Sequence, residues 1–302
     1  MNALIVEITL DNIELKELEI TTVQVNTDKE QLLSNIKSSA SLNLSRLDVV
    51  LKPHKQRAII VCGGPSLRNN KVLRKIRSLA NNSKYYLFTM NGAHDFLLSK
   101  GIVSDYCVVF DACKEIADLI EKPIKRTTYL VASRCDPNLF KKLEGGNIIL
   151  WDANDNVGEQ QLLSDLKIKW LLIGGGVSAG LRTLSICYIL GYRQFEIFGM
   201  DSCIDTSDAP PEPNLDPTEA ILERDHGYNM PTSVQKLRGE QGDGKVFWVK
   251  VGEKYWLISA WMHLQKNNYI ELVPQLHNVK IKHHTWGLIP YIHKLIEEYS
   301  SE

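Results

Sequence analysis

The chain has 302 residues, with 35 lysines and arginines against 36 aspartates and glutamates, for a formal net charge of −1. This balance excludes a protein whose main role is to bind nucleic acid or an anionic membrane, since binding to either requires a positively charged surface. Hydrophobic residues at 44% and charged residues at 24% exclude a disordered or collagen-like chain. The length suits one large α/β domain or two modest ones.

The sequence predicts neither a targeting signal nor a membrane span. Glu7, Asp11 and Glu14 interrupt the apolar N-terminus, which a signal peptide would not tolerate. The longest apolar stretch, 170–192, carries Arg182 at its centre and three glycines near its start, so a strand, a turn and a helix are expected there. The six cysteines form no CxxC pair and predict reduced thiols in a cytoplasmic protein.

In chain order, residues 1–52 predict an N-terminal appendage with one short amphipathic helix from Thr27. From Arg57 onward, short apolar runs alternate with helical stretches, as expected of parallel strands buried on both faces. The predicted strands are 58–62, 85–90, 106–110, 128–132, 147–151, 170–173 and 194–198. The fold class is therefore α/β and Rossmann-like, with a mostly parallel sheet and helices on both faces.

The remainder of the chain changes in character. Residues 206–245 are rich in proline and acidic residues and predict a long lid or insertion loop. A hairpin is predicted over 246–259, followed by a helix, a short strand and a closing helix. The predicted division is thus an appendage (1–52), a nucleotide-binding core (53–205), the lid (206–245) and a C-terminal part (246–302) that completes the core.

A buried strand ending in glycines is the strongest local signal for a ligand. After the strand 58–62 come Gly63, Gly64, Pro65 and Ser66, and a helix follows. Glycines let a backbone approach a ligand, and free N–H groups at a helix start attract phosphate. The segment lacks the Gly-Lys-Ser/Thr of a P-loop and the third glycine of GxGxxG. The alternative is that this segment forms only a tight turn between the strand and the helix and binds no ligand.

A second strand ends in a similar way. Gly175, Gly176 and Ser178 follow the apolar run 170–173 and precede a helix. Two such turns in one sheet predict loops that border a common crevice at the carboxyl ends of the strands, where ligands bind in open α/β sheets. Close packing of the helix against the sheet is the alternative.

Polar residues close three of the predicted inner strands. They are Asn91, Asp111 and Asp201. At one rim of the sheet such groups can hold a ribose hydroxyl, bind a divalent metal beside phosphates, or cap a helix.

The histidines divide into two groups. His226 in the predicted lid, and His283 and His284 near the C-terminus, are candidates for a general base or a phosphate contact. His54 and His94 are expected at ordinary surface positions. No HExxH or paired-cysteine pattern indicates zinc.

Several motifs together resemble a known family. The segments Cys62–Leu67, Gly101–Asp105 and Phe198–Asp201, with Asn91 and Asp111 between them, resemble the 6-hydroxymethylpterin diphosphokinase MptE-like family, which includes motility accessory factor proteins that glycosylate flagellin. The likeness spans roughly residues 57–205. A more distant likeness is to bacterial sialyltransferases that use a CMP-activated sugar.

The resemblance implies a nucleotide-phosphate site with Gly63–Ser66 at the phosphate and Asp111 or Asp201 at a ribose or metal. It implies His226 as the general base of a sialyltransferase-like reaction, although Asp111 stands where those enzymes tend to place asparagine. The leading hypothesis is a glycosyltransferase-like protein that binds a nucleotide-activated sugar, with His226 and Asp201 as catalytic residues and an unidentified acceptor. The alternatives are an ATP- and Mg²⁺-dependent pyrophosphokinase acting on a hydroxymethylpterin-type substrate, and a non-catalytic nucleotide-binding or assembly protein.

Overall fold

The computed structural model of the protein describes residues 27–50, 52–154, 158–205, 226–240, 246–252 and 254–299. The helices and strands follow in this order: α1 (Lys29–Ala40), β1 (Ser45–Arg46), β2 (Arg57–Val61), α2 (Asn70–Ala80), β3 (Tyr85–Met90), α3 (Ala93–Ser99), β4 (Tyr106–Val109), β5 (Thr128–Ala132), α4 (Pro137–Lys142), β6 (Asn147–Ala153), α5 (Glu159–Asp165), β7 (Leu172–Ile173), α6 (Ala179–Ile189), β8 (Gln194–Phe198), α7 (Thr232–Glu240), β9 (Val246–Val251), β10 (Lys254–Ser259), α8 (Ala260–Leu272), β11 (Lys280–His283) and α9 (Leu288–Tyr299). Short 3-10 helices cover Pro65–Arg68, Lys114–Leu119 and Val273–Gln275.

The strands form a parallel sheet in the order β1-β6-β5-β4-β3-β2-β8-β11, and β7 pairs with the end of β6. The predicted α/β, Rossmann-like fold is confirmed, and the predicted C-terminal hairpin is the antiparallel pair β9–β10. The chain builds β2 to β6 outward on one side of β2. It then returns through α6 to place β8 and β11 on the other side.

Apolar residues cover both faces of β2, which is why its sequence is a continuous apolar run. Ile59 and Val61 lie in one cluster with the buried side chains of α2 and α3, whereas Ala58 and Ile60 lie in the larger cluster that includes α6. Successive strand residues point to opposite faces, so a strand with helices on both sides needs apolar residues at every position.

The described part of the predicted appendage packs against the sheet. Asn35 of α1 donates hydrogen bonds from Nδ2 to the carbonyls of Ala112 (3.1 Å) and Arg134 (2.9 Å). Ser39 donates from Oγ to the carbonyl of Ser133 (2.7 Å), and β1 pairs with β6 in parallel. Residues 1–26 lie outside the described residues.

The predicted lid is described only in part, since residues 206–225 and 241–245 lie outside the described residues. Its described portion contains α7, which packs on the 3-10 helix Lys114–Leu119. Within the described ranges, none of the helices has the length and apolar character needed to cross a bilayer.

One expectation about the histidines is wrong. His94 is buried rather than at the surface, with Nδ1 3.0 Å from Ser104 Oγ and Nε2 3.2 Å from the hydroxyl of Tyr129. Burial lowers the pKa of His94, which therefore behaves as a neutral core residue. His54 is half-buried, with Nε2 3.0 Å from the carbonyl oxygen of Leu190. A single histidine carries no sequence signal for burial because its neighbours in the fold are distant in the chain.

Candidate functional site

The strand order creates a crevice between β2 and β8. These neighbouring strands run in parallel, and the chain leaves their carboxyl ends in opposite directions across the sheet. Such a switch point is where open α/β sheets bind ligands, because the diverging loops leave a gap. A cavity of about 280 Å³ lies at this place, against the ends of β2, β3, β4 and β8.

The loop after β2 forms the floor of the cavity. Gly64 donates its amide to the carbonyl of Gly199 (2.8 Å), which joins this loop to the loop after β8. A Cβ on Gly64 would lie 2.5 Å from that carbonyl oxygen and 2.5 Å from Oδ2 of Asp201. Glycine is therefore required here by the close approach of two loops within the protein.

Asp201 is buried beside the glycine loop and accepts hydrogen bonds from two residues of the chain. Its Oδ2 accepts the amide of Ser66 (2.8 Å), and its Oδ1 accepts the hydroxyls of Ser66 (2.9 Å) and Thr285 (3.1 Å). Burial raises the pKa of Asp201 to about 6, and these hydrogen bonds act in the opposite direction.

Asn91 and Asp111 meet at the ends of β3 and β4. Asn91 has a left-handed backbone (φ 45°) and donates from Nδ2 to Oδ2 of Asp111 over 3.3 Å. Its Oδ1 is buried and has no hydrogen-bond partner among the described residues. An unpaired buried acceptor costs free energy unless a ligand donor reaches it, so this pair offers a binding position for a hydroxyl or amino group.

A short segment, residues 226–230, crosses the glycine loop and is called the strap below. Gly227 donates its amide to the carbonyl of Gly63 (2.8 Å). A Cβ on Gly63 would lie 3.2 Å from the His226 ring, and a Cβ on Gly92 would lie 2.7 Å from the Tyr228 ring. The strap therefore packs closely against Gly63 and Gly92. It also places the His226 imidazole in the lining of the cavity.

Apolar side chains form part of the cavity wall. They are Ile116 and Leu119 of the 3-10 helix and Val234 and Leu237 of α7. Among the described lining residues there are carboxylates (Asp111, Glu115 and Asp201) but neither lysine nor arginine. A phosphate bound here would need its charge balanced by backbone dipoles, histidine or a cation carried in with it.

The sequence predicted that both glycine turns border one crevice, but the glycines of the second turn lie elsewhere. Ser178 lines the cavity, but Gly175 and Gly176 lie at a separate depression. A Cβ on Gly176 would lie 2.4 Å from Oδ1 of Asn268, and one on Gly175 would lie 2.9 Å from the carbonyl oxygen of Leu181. Close packing thus accounts for both glycines, and their role in phosphate binding stays a prediction.

The two C-terminal histidine candidates lie on the far edge of the sheet. His283 Nε2 is 2.8 Å from the hydroxyl of Tyr269, which is also 2.9 Å from Nδ1 of His293. His284 Nε2 lies 2.5 Å from Oε2 of Glu196. Neither histidine lines the cavity.

Most of the predicted site residues therefore converge. The cavity is lined by these predicted residues: Gly63, Gly64, Asn91, Asp111, Ser178, Asp201 and His226. Pro65 and Ser66 follow Gly64 in the 3-10 helix and are buried, and they are not among the lining residues. Within the described residues, no group of three or more histidine, cysteine or acidic side chains is placed to hold a metal ion.

The sequence reasoning missed other residues at this place. Tyr228, Gln265 and Thr285 come from three separate segments, and no local pattern marks them. Gln265 donates from Nε2 to Ser178 Oγ (2.8 Å) and accepts from Ser202 Oγ (2.9 Å), which ties α8 to the cavity. Only the polar residues directly after the apolar strand runs had a signal.

A comparison with protein-family models shows which family the chain belongs to. The model described as 6-hydroxymethylpterin diphosphokinase MptE-like matches residues 30–207, more than half of the chain. The chain belongs to the MptE-like family. The family region begins upstream of residue 57, where the resemblance was expected to start, so α1 and β1 are part of it.

Fold comparison gives a second finding for this MptE-like chain. The MAf glycosyltransferase from Magnetospirillum magneticum AMB-1 has a similar structure, with 13% sequence identity and a TM-score of 0.62. The match covers 89% of this chain and 38% of that protein, so the chain spans well under half of its length. At this identity the match shows a shared fold. Among curated proteins, none matches the chain.

Proposed function

We propose that the protein transfers a sugar from a nucleotide-activated donor to an acceptor hydroxyl, in the cavity between the ends of β2 and β8. The observation that carries this proposal is the convergence of Gly63, Asn91, Asp111 and His226 on one cavity at the switch point of the sheet. The fold shared with a glycosyltransferase supports it. Residues 53–205 would form the nucleotide-binding core, and residues 246–302 would complete it.

The residues divide by the chemistry that each can perform. Asn91 Oδ1, which is buried and has no partner within the described ranges, would accept a hydrogen bond from the nucleoside, with Asp111 beside it. His226 would accept the proton of the acceptor hydroxyl as its oxygen bonds to the sugar carbon. The bond from that carbon to the donor phosphate breaks, and the nucleotide leaves with the electron pair. Asp201 was also predicted to be catalytic, but its hydrogen bonds support the indirect role argued below.

A pyrophosphokinase is the second candidate, because the family description names that activity. This reaction would place the phosphates of ATP in a cavity whose described lining carries three carboxylates and neither lysine nor arginine. The charge of a triphosphate would then require Mg²⁺ bound with the nucleotide. Strict dependence of binding on Mg²⁺ therefore separates this candidate from the sugar transferase.

Thermal unfolding with added nucleotides tests the proposal. We expect CMP, UDP or GDP to raise the melting temperature by about 5 °C at a hundredfold excess over Kd, with or without Mg²⁺. A shift with ATP that appears only with Mg²⁺ would favour the pyrophosphokinase. If no nucleotide changes the melting temperature, both enzymes are excluded and a non-catalytic role remains.

His226→Ala tests the role of the base. We expect it to retain the nucleotide-induced shift while donor turnover falls by about a hundredfold or more, because general base catalysis contributes 10²–10⁴-fold. His277→Ala, at an exposed position, is the matched control and should retain both properties. Undiminished turnover in His226→Ala would show that the imidazole is only part of the cavity wall.

A further inference from the structure

The carboxylate of Asp201 binds the glycine loop through Ser66. The 3-10 helix Pro65–Arg68 begins at this loop, and its first N–H donor is the amide of its second residue, because proline has none. That amide belongs to Ser66, and it is donated to Oδ2 of Asp201 over 2.8 Å. Ser66 adds its hydroxyl to Oδ1 of the same carboxylate over 2.9 Å.

The neighbouring amides of the loop are also used within the protein. Gly64 donates to the carbonyl of Gly199, and Leu67 donates to the carbonyl of Gly64. The distance of 2.5 Å between a Cβ on Gly64 and Oδ2 of Asp201 shows how closely the carboxylate packs against the loop. A ligand phosphate would have to displace Asp201 to reach the Ser66 amide.

A third loop holds the carboxylate in place. Thr285, which follows β11, donates its hydroxyl to Oδ1 of Asp201 (3.1 Å) and accepts the amide of Gly199 (3.3 Å). The backbone carbonyl of Asp201 accepts the amide of Leu288 (2.8 Å) at the start of α9. A Cβ on Gly287 would lie 2.6 Å from the Asp201 Cα, so this loop also lies tightly against it. One buried side chain thus joins the loops that follow β2, β8 and β11.

We propose that Asp201 is a positioning residue that holds the glycine loop against the loops after β8 and β11, with Thr285 as the residue that orients it. The consequence for the ligand rests on the proposed function: the donor phosphate does not contact the Ser66 amide, because Asp201 already accepts it.

Hydrogen exchange of the ligand-free protein tests the positioning role. Thr285→Val removes the hydroxyl with little change in shape, and we expect the Ser66 amide to exchange about tenfold faster, the effect of losing one hydrogen bond. Thr285→Ser restores the hydroxyl and should restore slow exchange. Asp201→Asn, which keeps the side-chain size but loses the charge, should speed exchange at least as much. Unchanged exchange at Ser66 in Thr285→Val and Asp201→Asn would overturn the proposal.

Binding of CMP and of inorganic phosphate to the same variants tests the consequence for the ligand. We expect Thr285→Val to bind CMP about tenfold more weakly and Thr285→Ser to bind it as the native chain does. If the Ser66 amide were instead the phosphate contact, Asp201→Asn would bind inorganic phosphate more tightly than the native chain, which would contradict the proposal. Failure of CMP and every other nucleotide to bind the native chain would refute the proposed function, whereas the exchange result would still decide the role of Asp201.

Discussion

Asp201, which is buried, and His283, which is half-buried, change the stability of the fold in opposite directions as the pH falls. Burial lowers the pKa of His283 to about 3, helped by the neighbouring His293 and His284. The unfolded chain therefore binds more protons at position 283 below about pH 6.5, so acid destabilises the fold. Burial raises the pKa of Asp201 to about 6. The stability linked to its neutral form is present below about pH 4 and is lost as the pH rises through 6.

The first prediction concerns His283. On going from pH 7.5 to pH 5, protonation of this residue in the unfolded chain should lower the free energy of unfolding by about 2 kcal/mol. His283→Gln cannot gain this proton, so its loss of stability over the same range should be smaller by about that amount. Urea denaturation at both pH values measures the difference, and His277→Gln, at an exposed position, serves as the control. Equal losses in His283→Gln and the native chain would contradict the prediction.

The second prediction concerns Gly64. An alanine here would place its Cβ 2.5 Å from the Gly199 carbonyl oxygen, a backbone atom that cannot move without separating β2 from β8. We expect Gly64→Ala to lower the free energy of unfolding by about 1–3 kcal/mol. Gly174→Ala is the matched control, because a Cβ at that glycine would meet nothing within 4 Å. Equal stability of the two variants, measured by urea denaturation, would argue against the close contact.

At the scale of elements, helix α6 approaches the sheet closely enough to leave no room for a side chain at its second residue. A Cβ on Gly180 would lie 2.8 Å from Sγ of Cys62 and 3.4 Å from Cε of Met200. Its first turn thereby reaches the cavity, where Ser178 caps the helix by accepting the amide of Leu181. The small residues after β7 are explained by this packing as much as by a ligand.

The third prediction follows from this contact. Gly180→Ala should lower the free energy of unfolding by about 1–3 kcal/mol, because the methyl group overlaps the thiol of Cys62. Cys62→Ala removes the thiol, so the double variant Cys62→Ala/Gly180→Ala should be more stable than the sum of the two single changes predicts. A double-mutant cycle by urea denaturation measures this coupling. Strict additivity would mean that the two positions do not interact.

On the scale of the whole molecule, the C-terminal part shares its core with the Rossmann-like sheet. Tyr269, Leu272 and Ile289 lie in the main core cluster with residues of the buried strands, and Cys203, just after β8, packs with the hairpin residues Val249 and Ile258. Strand β11 extends the sheet beside β8, and the loop after it holds Asp201. A chain organised in this way should unfold as one unit.

The fourth prediction tests this unity. Ile258 is fully buried, and Ile258→Ala should lower the free energy of unfolding by about 2–5 kcal/mol. Because the cores are shared, far-UV circular dichroism and tryptophan fluorescence should report the same shifted midpoint. Lys294→Ala, on an exposed turn of α9, is the control. A shift seen by one probe alone would show that residues 246–299 unfold independently.

Much of the fold could be predicted because parallel strands that are buried on both faces consist of continuous apolar residues. The bounds of β3, β5 and β8 agree with the predicted ranges, and glycine or polar residues mark where they end. The two-residue strand β1 and the short helices α4 and α5 were not predicted, and β7 covers only the second half of the predicted strand 170–173. Too few residues form these elements to show a period, and their conformation depends on neighbours such as β6.

Of the candidate site, the sequence determined the residue types at the ends of the strands: glycines after β2, then Asn91, Asp111 and Asp201. Only the tertiary structure decided how they are used. Asp201 contacts Ser66 and Thr285, which are 135 and 84 residues away in the chain, and Gly176 contacts Asn268. Sequence spacing could not reveal contacts between residues so far apart. The physical reason is that strand ends follow from local hydrophobic patterning, whereas the partners of a buried polar group follow from the order of the strands in the sheet.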